Sequence, residues 1–360
     1  MLPPAFESLF ADSRSGSFFR TRSWLEVFSR YGVDAGDRFR LYAVDADGAP
    51  LALLPAVVSR LYRAHPRARV LHFIQPEAEP YLPLLAPDHP DFARILEGLI
   101  ESIRAERRPC DVLRVSPLDP ASPFAHELIL SLRRLGYLVQ LYRHLDDRYE
   151  QTEGMSATAY LAARPGALAA TLRGKGQPSF DSGRARFQLI RDASDLDAGN
   201  EAYQIVLETS PEEAEIEPAG YVRNLMRAAA DAGALRLGLI FFDGEPAAVQ
   251  LWIVSAGVAR CIRIWNDPAH ADLPLDDMLT ERLVVHLLDS DGVRELDFGS
   301  LASEAAQNWA PQARQRVGVI AFNPRTWRGI KGAVRHIAIP KLLSLPRRIR
   351  RRLKRRKAWR

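Results

Sequence analysis

Two short stretches of the chain hold side chains of types that could do chemistry. The first, Trp265-Asn266-Asp267, places an aromatic ring, an amide and a carboxylate at the end of an apolar, β-favouring run. The second, Asp276-Asp277, places two carboxylates directly before a run with helical spacing. Unpaired backbone N–H groups at the start of a helix attract phosphates, and carboxylates there compete for the same donors. A structural interpretation stays open beside the chemical one: the first stretch is a turn that ends a strand, and the second caps the helix.

A regular series of secondary-structure elements positions these two stretches. Asp243-Gly244 and Ser255-Ala256-Gly257 are turn sequences between β-favouring runs, and Asp291-Gly292 precedes a last short run. The pattern predicts a hairpin, a third antiparallel strand, a helix and a returning strand. In chain order, these predicted elements are Leu235–Phe242, Ala247–Val254, Val258–Trp265, the helix Met278–Leu288 and Val293–Phe298.

The order of these elements resembles the core of the N-acetyltransferase-like (GNAT) acyltransferases. Three blocks, WNDPAHADLPLDDML, ELDFGS and RQRVGVIAFNPRTWRG, are similar to successive blocks of the FemAB-like acyltransferases and their CelD-like relatives from cellulose biosynthesis. The resemblance covers most of residues 20–330. It implies an α/β (α+β) fold of tandem GNAT-like domains, each a mixed, mostly antiparallel sheet flanked by helices. It also implies acyl-CoA (acetyl-CoA) as co-substrate, lying against the central strand and the start of the following helix, and no metal.

The resemblance also assigns roles to individual residues. Transfer of an acyl group needs an amine held near the thioester and a group that accepts the amine proton. Asp267 is the first candidate for that base or for orienting the amine, and Trp265 would shape the acyl slot. Arg314 and Arg316 would supply positive charge. The complete set of candidates is catalytic Asp267 and Asp297; cofactor-binding Trp265, Asn266, Asp276, Asp277, Arg314 and Arg316; and substrate-binding Glu79, Tyr81 and Trp309.

The chain departs from the family pattern at three places. The segment SEAAQNW lacks the Tyr-Lys pair expected ahead of Trp309, so a hydroxyl and an ammonium group are missing. The family's Pro-Gly reads Pro274-Leu275, which removes the close backbone approach that glycine permits. The phosphate-loop pattern of ordinary GNAT proteins begins within RQRVGVI and is not completed. Structural roles therefore stay open for Asp297 at a strand end and for Tyr81 beside prolines.

Length and a repeated element order predict two domains. At 360 residues the chain exceeds what one hydrophobic core usually covers. The series of hairpin, strand, helix, strand, helix and strand in residues 235–322 also runs through residues 39–142. The acidic segment 145–154 has few apolar residues and marks the predicted boundary. The predicted domains are an N-terminal GNAT-like domain at 1–150, a C-terminal GNAT-like acyltransferase domain at 151–335 and a basic amphipathic tail at 336–360.

The positive charge of the chain is concentrated in its last 20 residues. Residues 341–360 hold 11 basic residues and no acidic one, and subtracting these charges from the net +5 leaves −6 on residues 1–340. Leucine, isoleucine and Trp359 lie between the arginines, which favours a helix on an anionic membrane surface. Binding of nucleic acid, tRNA in particular, is a second interpretation, and a solvated extension is a third.

Cysteine usage and hydropathy predict a cytoplasmic protein. Cys110 and Cys261 form neither a metal-binding pattern nor a disulfide framework. The start of the chain lacks the pattern of a signal peptide, and no run of about 18 apolar residues is present. We therefore expect a cytoplasmic location, with peripheral association at the inner face of the membrane through the tail.

The sequence predicts an N-acyltransferase. The acyl group would pass from acyl-CoA to an amine of a small molecule, a saccharide, a lipid-linked precursor or a peptide, in envelope or polysaccharide biosynthesis. A degenerate GNAT-like binding or assembly factor is one alternative, favoured by the missing Tyr-Lys pair. A FemX-type aminoacyltransferase that uses aminoacyl-tRNA is another, because nothing in the sequence specifies the donor.

Overall fold

The computed structural model describes residues 4–10, 16–59, 68–74, 83–85, 89–209, 220–299 and 304–338. The chain divides into two compact units, each formed by separate segments. Unit 1 consists of Met1–Ala35, Gln75–Pro80 and Leu145–Arg316, and unit 2 consists of Gly36–Ile74, Tyr81–His144 and Val317–Arg360. The predicted division at 1–150, 151–335 and 336–360 stays a prediction, since compactness does not test which segments fold independently.

Helices and strands alternate along most of the described residues. The helices are α1 Arg22–Tyr31, α2 Phe92–Arg104, α3 Pro123–Arg134, α4 Ala157–Ala162, α5 Gly166–Thr171, α6 Gln177–Asp181, α7 Leu196–Glu208, α8 Tyr221–Asp231, α9 Leu275–Asp289, α10 Glu304–Trp309 and α11 Trp327–Ala333. The strands are β1 Arg38–Ala46, β2 Ala49–Ser59, β3 Val70–Phe73, β4 Val112–Leu118, β5 Leu138–Gln151, β6 Ala185–Ile190, β7 Leu235–Phe242, β8 Glu245–Ser255, β9 Val258–Asn266, β10 Glu295–Gly299 and β11 Gln312–Phe322. A π-helical turn, Leu172–Gly176, lies between α5 and α6.

Unit 2 is built on an antiparallel hairpin. β1 and β2 are joined by Asp47 and Gly48, whose φ angles of 52° and 81° are both positive, as a type I′ turn requires. β2 pairs antiparallel with β3, β3 pairs parallel with β4, and β4 pairs antiparallel with residues 317–322 of β11. α2 packs on these strands in one apolar cluster. Its buried stripe consists of Ile95, Leu96, Leu99, Ile100 and Ile103.

Unit 1 contains the same series with additional strands. β6, β7, β8 and β9 pair antiparallel in that order, β9 pairs parallel with β10, and β10 pairs antiparallel with residues 148–151 of β5. The turns Asp243-Gly244 and Ala256-Gly257 again have positive φ angles. α9 packs closely on β7, because a Cβ added at Gly238 would lie 2.7 Å from Leu283 Cδ1. The predicted strands, turns and helix of this segment are confirmed.

The start of α9 differs from the prediction. The helix begins at Leu275 with Pro274 at its N-cap, so Asp276 and Asp277 occupy the first turn and do not cap a helix that starts at Met278. Acidic side chains in a first turn interact favourably with the helix dipole, which accounts for the earlier start.

The acidic segment 145–154, predicted as the domain boundary because it has few apolar residues, is mostly strand. β5 continues to Gln151. Its carboxylates are paired with arginines distant in sequence: Asp147 with Arg316, and Glu150 with Arg164. Ion pairing therefore permits a charged segment to form an ordered strand.

The predicted mixed α/β fold, with mostly antiparallel strands flanked by helices, is confirmed in both units. Each unit contains three antiparallel strands, a helix, and a strand parallel to the third: β1–β2–β3–α2–β4 in unit 2 and β7–β8–β9–α9–β10 in unit 1. Across the described residues, we find no helix with the length and apolar character needed to cross a bilayer.

Candidate active site at the start of α9

β9 and β10 run side by side for only a short distance. Among the described residues, β10 pairs with residues 258–260 of β9 and not beyond, whereas β8 pairs with β9 as far as Asn266. The second half of β9 thus has no strand beside it on the β10 side within the described chain. An open strand edge presents backbone N–H and C=O groups that can pair with an extended ligand.

A β-bulge lies where β9 leaves β10. The register with β8 shifts, so that Leu251 faces Arg263 while Trp252 faces Cys261, and Ile262 is an extra residue in β9. A bulge bends its strand and is common next to active sites. The extra residue, Ile262, lies two residues beyond the last residue of β9 that pairs with β10.

The first turn of α9 carries Asp276, whose carboxyl group is largely buried. Its Oδ1 accepts no hydrogen bond from the described residues, whereas Asn266 at the end of β9 hydrogen-bonds to the carboxylate. Burial raises the pKa of Asp276 to about 6; the bond from Asn266 opposes this rise and the nearby charge of Asp277 adds to it. A carboxyl group with a pKa near 6 is mostly ionised at neutral pH and can still take up a proton, which is what a general base does.

Buried polar side chains hold this first turn in place. Gln250 on β8 donates its Nε2–H to Thr280 Oγ1 at 2.8 Å and to the backbone carbonyl of Asp276 at 3.1 Å. The Thr280 hydroxyl donates to the same carbonyl at 2.7 Å, and Trp252 Nε1 donates to Gln250 Oε1 at 3.0 Å. Because satisfied buried networks are rigid, Asp276 stands on a fixed support.

Asp277 is bound by Trp309. Trp309 Nε1 donates to Asp277 Oδ1 at 2.8 Å, which opposes the rise that burial causes in the pKa of Asp277. Trp309 is itself 1% exposed, and its carbonyl accepts hydrogen bonds from the Tyr160 hydroxyl and from Arg164 Nη1. Arg164 also pairs with Glu150 at 3.4 Å. The structure thus brings Trp309 to the start of α9, and its predicted substrate-binding role stays a prediction.

The other predicted residues at the end of β9 have different partners. Trp265 Nε1 donates to the Tyr203 hydroxyl on α7 at 3.0 Å, whereas its neighbour Asn266 contacts α9. Successive residues of a strand point to opposite faces, so Trp265 lies on the face away from Asp276. Asp267 Oδ1 accepts the backbone N–H of Ala269 at 2.9 Å, which caps a short 3₁₀ turn. The predicted base role of Asp267 stays a prediction.

Asp297 lies in a cluster of buried, paired charges. It is 1% exposed, accepts the N–H of Gly299 at 2.8 Å and pairs with Arg314 and Arg260. Arg316 pairs with Asp147 at 2.5 Å. These pairs support the structural interpretation of Asp297, Arg314 and Arg316, whose predicted functional roles stay predictions. The six members of the cluster are Asp147, Glu295, Asp297, Arg260, Arg314 and Arg316.

Two predicted substrate residues, Glu79 and Tyr81, lie outside the described residues. Of the remaining candidates, the structure brings Asn266, Asp276 and Asp277 together with Trp309 around the first turn of α9. Within the part of the chain that is described, no group of three His, Cys, Asp or Glu side chains is arranged to hold a metal ion.

Sequence reasoning missed the supporting residues of this site, namely Gln250, Trp252, Thr280, Tyr160 and Arg164. One signal was available. Gln250 interrupts the apolar run AAVQLWIV, and a buried polar residue in such a run must find hydrogen-bond partners. The partners themselves lie 26 to 30 residues away on α9, so the sequence does not show which they are.

An acyl-CoA donor would meet both favourable and unfavourable groups here. The open part of β9 can pair with the amides of the pantetheine arm. Lys175 on the π-helical turn donates to the carbonyl of Asp272 at 2.9 Å and brings a cation close to the start of α9. Asp276 and Asp277, in contrast, oppose a pyrophosphate at the same helix start. The site fits the acyl arm better than it fits the pyrophosphate.

Comparison with known proteins agrees with the fold described above. Residues 166–308 match the family model described as an acetyltransferase (GNAT) domain. The fold is similar to that of FemX, with a TM-score of 0.59 and 9% identity over 94% of this chain and 99% of that one. It is also similar to the C-terminal domain of a putative lysylphosphatidylglycerol synthetase from Agrobacterium fabrum, with a TM-score of 0.54 and 11% identity over 91% of this chain and 95% of that one.

A third similar structure is L-PGS from Bacillus licheniformis, with a TM-score of 0.51 and 12% identity over 89% of this chain and 95% of that one. No protein of curated function matches the sequence. The predicted resemblance to GNAT acyltransferases is confirmed over residues 166–308, and the likeness to FemX is one of fold.

Proposed function

We propose that the protein is an N-acyltransferase, a proposal supported by the match of residues 166–308 to the acetyltransferase (GNAT) family model. Its reaction site lies between the open end of β9 and the first turn of α9. The donor is acyl-CoA, and the acceptor is an amine of a saccharide, a lipid-linked precursor or a peptide, in envelope or polysaccharide biosynthesis. One observation carries this proposal: Asp276, a largely buried carboxyl group whose pKa is raised to about 6, has an Oδ1 atom without a hydrogen-bond partner among the described residues.

In the proposed reaction, the amine nitrogen attacks the acyl carbonyl carbon, so that a C–N bond forms and the C–S bond breaks. Asp276 accepts the proton that leaves the amine, and the departing thiolate takes up a proton from solvent. Asn266 orients the carboxylate of Asp276. Gln250 and Thr280 hold the helix turn that carries it. This division of roles replaces Asp267 with Asp276 as the first base to test.

A second donor is favoured by a specific observation. The carboxylates of Asp276 and Asp277 oppose a pyrophosphate at the helix start, and aminoacyl-tRNA, unlike acyl-CoA, contains no pyrophosphate. A FemX-type aminoacyl transfer would therefore avoid the unfavourable contact. The same amine chemistry and the same base would serve both donors.

The test is detection of an acylated product by mass spectrometry. The full chain is incubated with acetyl-CoA, longer acyl-CoAs or aminoacyl-tRNA, each with amino sugars, lipid-linked amines and peptides. We expect one donor to yield an acceptor heavier by the acyl group, in wild type and in the control Asp272→Asn, which removes an exposed charge near the same helix. Donor binding without any product would contradict the proposed acyltransferase activity and would support the alternative that the protein is a degenerate GNAT-like binding factor.

We further propose that the protein works at an anionic membrane surface. On α11 and the π-helical turn that follows it, Trp327, Ile330 and Val334 are 77%, 38% and 49% exposed and recur at helical spacing. Exposed Arg328 and Lys331 lie between them. An apolar stripe flanked by basic residues is typical of helices that lie on lipid, and residues 341–360, outside the described residues, add 11 positive charges.

A further inference from the structure

Unit 2 contains a cavity of about 570 Å³ that is lined chiefly by arginines. It lies at the end of the sheet where β1 and β3 begin and β2 ends, beside the C-terminus of α2. The charged residues that line it are Arg38, Arg40, Arg69, Glu106, Arg107 and Arg108. Five guanidinium groups thus surround one carboxylate, which leaves an excess of four positive charges in a concave site.

The arginines come close together because they lie at neighbouring ends of β1, β3 and α2. Arg38 and Arg40 are two residues apart on β1, so their side chains lie on the same face of the strand. Arg69 directly precedes β3, where its backbone N–H donates to Asp111 Oδ2 at 2.8 Å. Arg107 and Arg108 follow the last turn of α2, a position where cations interact favourably with the helix dipole. The helix dipole accounts for these two residues but not for Arg38, Arg40 and Arg69.

Glu106 neutralises only part of this charge. Its carboxylate accepts the Tyr42 hydroxyl at 2.5 Å and Arg69 Nη2 at 2.7 Å, and Arg40 approaches it at 3.7 Å. Arg69 Nη1 is buried and has no hydrogen-bond partner among the described residues. Buried guanidinium nitrogens are ordinarily satisfied, so this one can donate to an acceptor that the described residues do not supply.

We propose that this cavity binds a soluble anion that carries two or three linked phosphate groups. Planar guanidinium groups match phosphate oxygens with paired hydrogen bonds, which lysine cannot do. A diphosphate or triphosphate carries about three to four negative charges at neutral pH, which matches the excess of four. The volume lies in the range of small-molecule sites, roughly 300–1,000 Å³.

This cavity is not a second copy of the transfer site. The transfer site of unit 1 lies at the N-terminus of its helix, where β9 ends. The cavity of unit 2 lies at the C-terminus of the corresponding helix, α2, where β3 begins. The proposal therefore stands independently of the acyltransferase activity.

Isothermal titration of the full chain tests the proposal, with inorganic pyrophosphate and tripolyphosphate as probes and inorganic phosphate as the single-phosphate comparison. The pocket variant is Arg38→Gln with Arg108→Gln, both exposed in the structure. The matched control is Arg94→Gln with Arg133→Gln, which removes the same charge from exposed sites of the same unit. Every variant keeps the basic residues 341–360, so binding by that segment contributes equally to all of them.

We expect wild type and the control variant to bind pyrophosphate equally, and the pocket variant to bind it at least roughly tenfold more weakly at low salt. Single phosphate should bind more weakly than either linked form. A melting curve without ligand verifies that the pocket variant is folded; should it be unfolded, Arg107→Gln alone takes its place.

Three results would overturn the proposal. One is the absence of pyrophosphate binding by wild type. Another is equal affinity of the pocket and control variants. The third is pocket-dependent binding to phosphatidylglycerol vesicles without binding to the soluble probes, which would assign the cavity to a lipid headgroup instead.

Discussion

The helix that follows the third strand begins very differently in the two units. In unit 1, the first turn of α9 carries Asp276 and Asp277 and is held by hydrogen bonds from Gln250 on the neighbouring strand. In unit 2, α2 begins at Phe92 without a side-chain cap, and all of its buried residues are apolar. Both helices pack on a strand series of the same order, so packing alone does not require the polar start of α9.

The strand before each helix also differs between the two units. β9 ends in Asn266, which hydrogen-bonds to Asp276. On β3, burial lowers the pKa of His72 to about 4, with a contribution from the charge of Arg114, so that this imidazole is neutral at physiological pH. A neutral group of so low a pKa is a poor proton acceptor at pH 7. Among the described residues, the buried Asp276 beside the end of β9 thus has a pKa near 6, whereas His72 on the corresponding strand of unit 2 has a pKa near 4.

The largest expected effect concerns proton transfer. Replacing the carboxylate by an isosteric amide, Asp276→Asn, should lower the transfer rate by about 10²–10⁴-fold, because general base catalysis contributes about that much. His72→Gln in unit 2 should leave the rate within about twofold. Steady-state rates of product formation measure both. Full activity of Asp276→Asn would contradict the assignment of Asp276 as the base and, with it, the proposed functional difference between the two units.

Core packing should respond alike in the two units. Leu283 on α9 and Leu99 on α2 are both 0% exposed. Leu283→Ala and Leu99→Ala should each lower the free energy of unfolding by about 2–5 kcal/mol, because each leaves a cavity in an apolar cluster. Urea denaturation measures these values. A cost below about 1 kcal/mol for one of them would show that its helix is loosely packed.

Asp276 should also destabilise the folded state above its pKa. Its pKa rises from 3.8 in the unfolded chain to about 6 in the fold, so the folded state binds the proton more tightly. The contribution of Asp276 to the free energy of unfolding is therefore fully present below about pH 4, where the carboxyl group is protonated. It is lost as the pH rises through about 6. Asp276→Asn should consequently raise the free energy of unfolding by about 2–3 kcal/mol at about pH 7.5 and have little effect at about pH 4.

Chemical denaturation at both pH values tests this dependence, and Asp272→Asn serves as the control because its side chain is exposed. A gain from Asp276→Asn that is equal at the two pH values would show that the amide stabilises the fold for a reason other than charge.

The smallest expected effect concerns α11 of unit 2. Trp327→Ser should reduce binding to phosphatidylglycerol vesicles by roughly three- to tenfold, because the apolar ring is lost from the lipid-facing stripe. A chain that ends at Pro340 should lose more, at roughly 1 kcal/mol for each basic residue near the lipid. Co-sedimentation with anionic and neutral vesicles measures both. Equal sedimentation of the three proteins would exclude a membrane role for this face, and retention on tRNA alone would favour nucleic acid.

The secondary structure around the candidate site follows from local sequence. Turn dipeptides such as Asp243-Gly244 require positive φ angles that few residues adopt readily, and the apolar runs between them have the length of strands. The start of α9 was predicted less well. Asp276 and Asp277 suit both a cap and a first turn, and the local sequence does not decide between these positions.

The features that could not be predicted from the sequence depend on ion pairs and hydrogen bonds between residues that are far apart in the chain. The acidic end of β5 looks like a linker until Arg316, 169 residues away, is seen to pair with Asp147. Trp309 reaches Asp277 across 32 residues. Neither local propensity nor hydrophobic periodicity contains this information, because both describe neighbours in sequence.

The most direct test of the central claim is the titration of Asp276 itself. The full chain is labelled with ¹³C at the aspartate side-chain carboxyl carbons, and the Asp276 signal is assigned as the one missing from Asp276→Asn. Its chemical shift is then followed by NMR from about pH 4 to about pH 8. We predict a midpoint near 6, in keeping with a buried carboxyl group that can accept a proton at the open end of β9. A midpoint near 4, the value of an exposed aspartate, would contradict its role as the base.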